Sequence, residues 1–304
     1  MSVPPAGKLP LPELAAMKRR GDRIVMVTAY DAPGARFAED AGIDAILVGD
    51  TAAMVVLGHE GTTVPVTVDE MLFLTRTVSR QARRPLVIGD MPFGSYQVSD
   101  EDAVRNAIRF VKEGGADIVK LEGAGPMTSR TRTIVEAGIP VMGHIGWTPQ
   151  AKHGMGGKVR VQGKSVEQAR ALLHDALAIQ EAGAFSIVLE LVPGQLAAAI
   201  TERLRIPTIG IGAGAGCSGQ VLVITDLLGL GSFVPRHARP YAHLREEILE
   251  AATKFAADVA AGTFPGPEET VRMDDIVLEE ALGRGHLDRP ADVVAGGIPL
   301  DRDL

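Results

Sequence analysis

The chain has 304 residues, 46% of them hydrophobic, a formal net charge of −7 and a single cysteine, Cys217. The acidic balance excludes nucleic acid as a main partner, because phosphate binding needs clustered Lys and Arg; the lone thiol excludes an intrachain disulfide and suits a reducing compartment. The first residues lack a signal-like apolar core, and no apolar stretch reaches the ~18 residues of a membrane span, so a cytoplasmic protein without a membrane partner is expected.

Residues 1–22 hold Pro4, Pro5, Pro10 and Pro12 and then Lys18-Arg19-Arg20, which reads as an arm with a short helix. A first strand is predicted at 24–29, followed by Tyr30-Asp31 and a helix from Pro33 to Ala41 closed by Gly42. The second strand, 45–48, runs into Gly49-Asp50. A long connection to Val68 follows, with Asp69 as the expected cap of a helix reaching about Gln81. The third strand, 85–88, runs into Gly89-Asp90. Ser99 with Asp102 gives a capping-box-like start to a helix ending near Lys112. The fourth strand, 118–121, leads to Glu122; a helix over 127–137 and a fifth strand over 140–144, ending at His144, come next. A glycine-rich loop, Gly154 to Lys158, precedes a helix over 165–182. The sixth strand, 186–190, ends at Glu190. A helix over 194–204, strands over 208–212 and 220–224, and a helix over 241–261 complete the series.

Short Val- and Ile-rich runs of this kind are strands buried on both faces. Alternating with helices, they imply a parallel sheet with right-handed crossovers, and eight such units close as a (β/α)₈ TIM barrel. An open doubly wound sheet would want a phosphate loop after the first strand, and Thr28-Ala29-Tyr30-Asp31 is nothing like one. The expected division is an arm at 1–22, one catalytic barrel at 23–267 and a tail at 268–304.

Strand C-termini converge on one face of such a barrel, so Asp50, Asp90, Glu122 and Glu190 should meet there although far apart in sequence. Crowded carboxylates raise one another's pKa unless a cation lies between them. A hard divalent ion with oxygen ligands answers this, and Mg²⁺ suits few carboxylates plus retained waters. A soft-metal site is excluded by the single Cys and the absence of a His pair at ligand spacing. Lys120 and Glu122 are two apart on one strand and share a face; Lys120 there either meets a substrate carboxylate or pairs with a neighbouring acid. Glu190, between Leu189 and Leu191, is suited to act as a general base. Metal, lysine and base together describe enolate chemistry on a 2-oxo acid. His144 either orders this site or is a hydrogen-bonded core histidine.

A set of motifs then narrows the reading. Thr28-Ala29-Tyr30-Asp31, Val48-Gly49-Asp50, Pro65-Val66-Thr67, Asp90-Met91-Pro92-Phe93, Val119-Lys120-Leu121-Glu122-Gly123, Gly143-His144-Ile145-Gly146 with Thr148-Pro149-Gln150, and Gly210-Ile211-Gly212-Ala213-Gly214 resemble the ketopantoate hydroxymethyltransferase family, in that family's order. The resemblance implies a barrel of the phosphoenolpyruvate mutase and isocitrate lyase superfamily, assembled as a homo-oligomer, commonly a decamer. It implies transfer of a hydroxymethyl group from 5,10-methylenetetrahydrofolate to 3-methyl-2-oxobutanoate through a magnesium-bound enolate, giving 2-dehydropantoate for pantothenate and coenzyme A. Carried over by position, Asp50, Asp90 and Glu122 match the site of one Mg²⁺ per subunit; Asp50, Thr51, Asp90 and Lys120 match the oxo-acid contacts; Glu190 matches the proton acceptor. A carbon–carbon lyase or mutase of the same superfamily is the alternative. The chain departs from the usual pattern at Thr51 (Ser in the family), at Ser218, at Ala151-Lys152-His153 and at Glu269-Thr270, all around the substrate and folate pockets. The Gly-x-Gly-x-Gly at 210–214 precedes a strand, not a helix, and is no dinucleotide fingerprint.

Overall fold

The computed structural model describes residues 7–283. The elements run α1 (Leu11–Arg20), β1 (Ile24–Thr28), α2 (Ala32–Asp40), β2 (Ala45–Val48), α3 (Ala52–Val55), α4 (Val68–Ser79), β3 (Leu86–Asp90), α5 (Asp100–Lys112), β4 (Ile118–Lys120), α6 (Met127–Glu136), β5 (Val141–Gly146), α7 (Val166–Glu181), β6 (Ser186–Glu190), α8 (Gly194–Arg203), β7 (Thr208–Ile211), β8 (Gly219–Leu222), α9 (Ile224–Leu228), α10 (Leu244–Ala261) and α11 (Asp275–Leu282). The eight strands pair in sequence order, all parallel, and β1 closes the ring against β8. The predicted (β/α)₈ barrel is therefore the observed one.

The barrel core follows from the double burial of the strands. Met26, Leu47, Ile88, Ile118, Met142, Val188, Ile209 and Val221 fill the interior, and Leu9 and Leu14 join the same cluster. The N-terminal segment is thus tied to the barrel interior. Lys18 fixes α1 further, its ammonium donating to the carbonyls of Thr201, Leu204 and Ile206 at 2.7–2.8 Å. Outside the ring, Val27, Ile46, Val87 and Val119 pack under Met71, Val78, Ala107 and Phe110 from the helices.

Three local expectations are corrected. The cap of α4 is Thr67, not Asp69: the Thr67 hydroxyl accepts from the Glu70 N–H at 3.2 Å and the Glu70 carboxylate accepts from the Thr67 N–H at 2.8 Å, a reciprocal capping box. The connection after Asp50 contains a helical turn, α3. The last strand stops at Leu222, because the Thr28 hydroxyl accepts from the Ile224 N–H at 2.9 Å and turns the chain into α9. The caps at Ser99 and Ser165 are where the sequence puts them, accepting from Asp102 and Gln168.

The described residues divide into two compact units, with the boundary between Arg245 and Glu246. Within the second, the rings of Phe255 and Phe264 meet edge to face at 5.3 Å, and α11 is capped by Asp274. The rest of the predicted tail lies outside the described residues. No described helix is long and apolar enough to cross a membrane.

Candidate active site

Asp50 follows β2, Asp90 ends β3, Lys120 ends β4 with Glu122 just beyond, His144 lies in β5 and Glu190 ends β6. Neighbouring parallel strands in register carry these positions to one end of the ring: Asp90 stands beside Lys120, and Gly146 beside Glu190. Together with Thr51 they line one cavity of about 810 Å³. The same cavity is also lined by apolar side chains, among them Leu47, Val188, Ile211, Val221 and Val223.

The polar wall is tightly paired. Lys120 Nζ donates to Asp90 Oδ1 at 2.6 Å and stands 3.8 Å from Glu122 Oε1. Asp90 Oδ2 accepts the backbone N–H of Asp50 at 3.1 Å. His144 lies between two acids, Nδ1 3.4 Å from Glu122 Oε1 and Nε2 3.2 Å from Glu190 Oε2. Neither approach is aligned as a hydrogen bond, and Glu122 Oε1 and both ring nitrogens are buried without such a partner among the described residues. Glu190 differs from the rest: its side chain is 17% exposed, against 2% for Asp90 and 3% for Glu122.

Charge follows from this geometry. Burial, reinforced by the charges of Asp90 and Glu122, lifts the Asp50 carboxyl well above the usual range. Burial lifts Asp90 as well, although Lys120 opposes it. For Lys120 burial favours the neutral amine, but Asp90, Glu122 and Asp50 outweigh it and hold the ammonium charged. Burial and Lys120 pull His144 down, yet Glu122 and Glu190 overcome them and push the imidazole up to about 9. Burial works against ionisation of Glu122 too, but His144 and Lys120 prevail and keep it a carboxylate.

Glu190 is set by the backbone around it. Its carbonyl accepts the Trp147 N–H at 2.8 Å, and Gly146 permits that approach: at φ +95°, a Cβ on Gly146 would lie 2.1 Å from the Glu190 oxygen. The next residue, Leu191, has φ +49°, a left-handed conformation that an L side chain adopts at a cost of about 1 kcal/mol or more. Its N–H and carbonyl are both bonded, to Ile211 and Gln162, so the strained turn that aims Glu190 is held from two sides.

Two residues of this network were not among the predicted site residues. Gln150, 4% exposed, donates from Nε2 to Asp50 Oδ2 at 3.0 Å and to the Met91 carbonyl at 2.9 Å, and its backbone N–H donates to Glu122 Oε2 at 3.0 Å. Tyr96 donates from its hydroxyl to Gln150 Oε1 at 2.5 Å and accepts the Glu122 N–H at 3.0 Å. Gln150 sits inside a motif the sequence displayed, without a role. Tyr96 lies in the loop between β3 and α5, beyond the motif that ends at Phe93, and carried no signal.

The donors fit a hard cation. The acids facing the cavity offer oxygen alone, one buried oxygen of Glu122 has no hydrogen-bond partner among the described residues, and burial with the charges of Asp90 and Glu122 disfavours the ionised form of Asp50, a cost that an added cation relieves. No three Asp, Glu, His or Cys side chains close into a cage among the described residues. Few protein oxygens, with substrate and water completing the shell, is the habit of Mg²⁺ rather than Ca²⁺.

Fold and site together define an acid-lined (β/α)₈ barrel, and the fold is shared with solved structures that include a member of the phosphoenolpyruvate mutase and isocitrate lyase superfamily. A phosphonopyruvate hydrolase shares the fold with a TM-score of 0.57 at 12% identity, over 89% of this chain and 94% of that one. 2,3-Dimethylmalate lyase, a member of that superfamily, does so with a TM-score of 0.52 at 14% identity, over 90% and 91%. Residues 8–267 match the family described as ketopantoate hydroxymethyltransferase, and the chain belongs to it. The 3-methyl-2-oxobutanoate hydroxymethyltransferase of Chloroflexus aggregans is 60% identical over 89% of this chain and 96% of that protein. The one from Ignicoccus hospitalis is 51% identical over 85% and 97%. The chain is accordingly an enzyme.

Proposed function

We propose that the chain transfers a hydroxymethyl group from 5,10-methylenetetrahydrofolate to 3-methyl-2-oxobutanoate, giving 2-dehydropantoate, with Glu190 as the proton acceptor. The observation that carries the proposal is a division among the acids. Asp50, Asp90 and Glu122 are buried and engaged by Gln150, Lys120 and backbone N–H groups, whereas Glu190 is partly open to the cavity and, among the charged groups of the described residues, meets only His144.

Lys120, held as an ammonium by its neighbours, receives the substrate carboxylate, and Asp50, Asp90 and the Thr51 hydroxyl border the keto group. The branched alkyl end lies against Leu47, Val188, Ile211 and Val221. Glu190 then takes the proton from C3, and the electron pair left there forms the new carbon–carbon bond with the donor's methylene carbon; that carbon gives up both its bonds to the folate nitrogens, one water supplies the hydroxyl oxygen of the product, and the C3 proton and one water proton end on the nitrogens of the departing tetrahydrofolate. His144, bearing a proton, steadies both Glu122 and Glu190. Asp50, Asp90 and Glu122 would hold one magnesium ion. Magnesium, when bound, supplies charge that polarises the keto group, worth several kcal/mol in the transition state. We take the enzyme to serve pantothenate and coenzyme A synthesis in the cytoplasm, as a homo-oligomer of the decameric kind.

The test is deuterium exchange at C3 of 3-methyl-2-oxobutanoate, followed by NMR with and without Mg²⁺ and without folate. Exchange that needs the metal is expected. Its absence from folded, metal-supplied protein would remove this oxo acid from the reading.

A further inference from the structure

Two buried side chains stand behind the acids and take no part in the proton transfer. Tyr96 is 1% exposed and Gln150 4%, and neither lines the cavity, so neither touches a substrate there. Gln150 grips two of the acids at once. Its Nε2 donates to Asp50 Oδ2 at 3.0 Å, and its backbone N–H donates to Glu122 Oε2 at 3.0 Å. Glu122 Oε1 stays without a hydrogen-bond partner among the described residues, so the grip on Glu122 takes one oxygen and leaves the other.

The direction of the Gln150 amide decides whether it supports Asp50 or repels it. As it stands, Nε2 serves two acceptors, Asp50 Oδ2 and the Met91 carbonyl; turned over, the amide oxygen would face both. Tyr96 fixes the direction. Its hydroxyl donates to Gln150 Oε1 at 2.5 Å, and Gln97 Nε2 adds a second donor to that oxygen at 3.3 Å. The same Tyr96 oxygen accepts the Glu122 N–H at 3.0 Å, so one hydroxyl joins Gln150 to the Glu122 backbone. Tyr96 is held in turn by Arg130 of α6, which donates to the Tyr96 and Gln97 carbonyls at 3.1 and 3.3 Å and pairs with Asp100 at 2.6 Å. The chain from Arg130 through Tyr96 to Gln150 therefore ends on two acids from different strands, Asp50 after β2 and Glu122 after β4.

We propose that Tyr96 is a positioning residue of the metal site: through Gln150 it sets where Asp50 and Glu122 present their remaining oxygens, and with that the affinity for the divalent ion. The inference rests on the magnesium reading above. Mg²⁺ demands near-ideal octahedral geometry, so oxygens free to drift bind it poorly. Partners that orient metal ligands from behind commonly govern roughly tenfold to hundredfold in affinity.

The experiment is calorimetric titration of the full chain with Mg²⁺ alone, without oxo acid or folate, beside thermal unfolding. Tyr96→Phe removes only the hydroxyl and is expected to weaken Mg²⁺ binding roughly tenfold. Arg130→Gln touches none of the four acids of the site; it is expected to weaken binding less, and to add nothing in the Tyr96→Phe background, because its effect runs through that hydroxyl. Ile200→Val, a truncation in the buried face of α8, is the control: it should lower the melting temperature and leave Mg²⁺ affinity unchanged. Parental affinity in Tyr96→Phe, an equal loss in Ile200→Val, or losses from Tyr96→Phe and Arg130→Gln that simply add overturns the inference. Should Tyr96→Phe not fold, Arg130→Gln decides: weaker Mg²⁺ binding at parental melting supports the inference and unchanged binding overturns it. A parent that binds no Mg²⁺ removes the magnesium reading itself. A parent that binds it, loses it on Glu122→Gln and keeps it on Tyr96→Phe removes only the role of Tyr96.

Discussion

Replacing Gln150 by Leu keeps the volume of the side chain and removes its hydrogen bonds, which isolates the polar contribution of this buried hub. The Asp50 carboxylate loses an N–H donor at 3.0 Å, the Met91 carbonyl loses one at 2.9 Å and the Tyr96 hydroxyl loses its acceptor at 2.5 Å. A bond to a charged group is worth about 1.5–3 kcal/mol, and each neutral group left unpaired costs about 1–3 kcal/mol. Relaxation returns part of this, for the Tyr96 hydroxyl can turn toward the Glu122 carbonyl at 3.5 Å. The expected loss is about 4 kcal/mol, which for a unit of this size lowers the melting temperature by roughly 8–16 °C. Gln150→Glu should be worse near neutral pH, since it also sets a carboxylate against Asp50, already lifted by Asp90 and Glu122. The assay is thermal unfolding of the metal-free protein, followed by circular dichroism. A Leu variant melting within about 2 °C of the parent, or a Glu variant as stable as the Leu one, would refute the assignment of Gln150 as the group that holds Asp50.

Glu190→Gln should reduce C3 exchange by at least about a hundredfold, the usual worth of a positioned base, while leaving oxo-acid binding measurable by titration; undiminished exchange excludes Glu190 as the base. Asp90→Asn strips Lys120 of its partner at 2.6 Å and should cost about 3 kcal/mol in urea unfolding, with weaker Mg²⁺ binding by calorimetry; unchanged values in both remove Asp90 from the metal site. Gly146→Ala forces a Cβ against the Glu190 carbonyl at a φ of +95° and should cost more than about 3 kcal/mol; a soluble variant with parental melting contradicts the geometry. Glu70 is held below its usual range by the Thr67 N–H and hydroxyl. Its contribution is therefore present above its unfolded value and fades as pH falls through the lowered one. The urea-midpoint gap between the parent and Glu70→Ala should shrink between about pH 7 and about pH 3, and a gap that widens reverses the sign.

The strands were legible because a run such as Ile46-Leu47-Val48, buried throughout, has no polar face to obscure its length. The acids were legible for a related reason: each follows a strand whose direction in a parallel barrel is fixed, so Asp50, Asp90, Glu122 and Glu190 had to arrive at one end. What the sequence withheld was pairing across distance. Gln150 meets Asp50 across a separation of 100 positions, and nothing local to either residue announces the bond. Tyr96 reaches Gln150 from a loop with no periodicity to place it. At α4, two residues two positions apart competed for one role, and Thr67 won over Asp69 because Glu70 answers it from the third helical position. The early stop of β8 was set by Thr28, nearly the whole barrel away in sequence.

The cavity is built as two unlike half-rings. The groups that carry charge come from β2 to β6, while the wall against which an alkyl chain would rest comes mostly from Val188, Ile211, Val221 and Val223 on β6 to β8 and beyond. Drift at Ile211, Val221 and Val223 would reshape the apolar wall without touching any strand that carries charge, whereas Val188 shares β6 with Glu190 and Leu47 shares β2 with the turn into Asp50. Selectivity can thus change on β7 and β8 while the charged strands keep the chemistry.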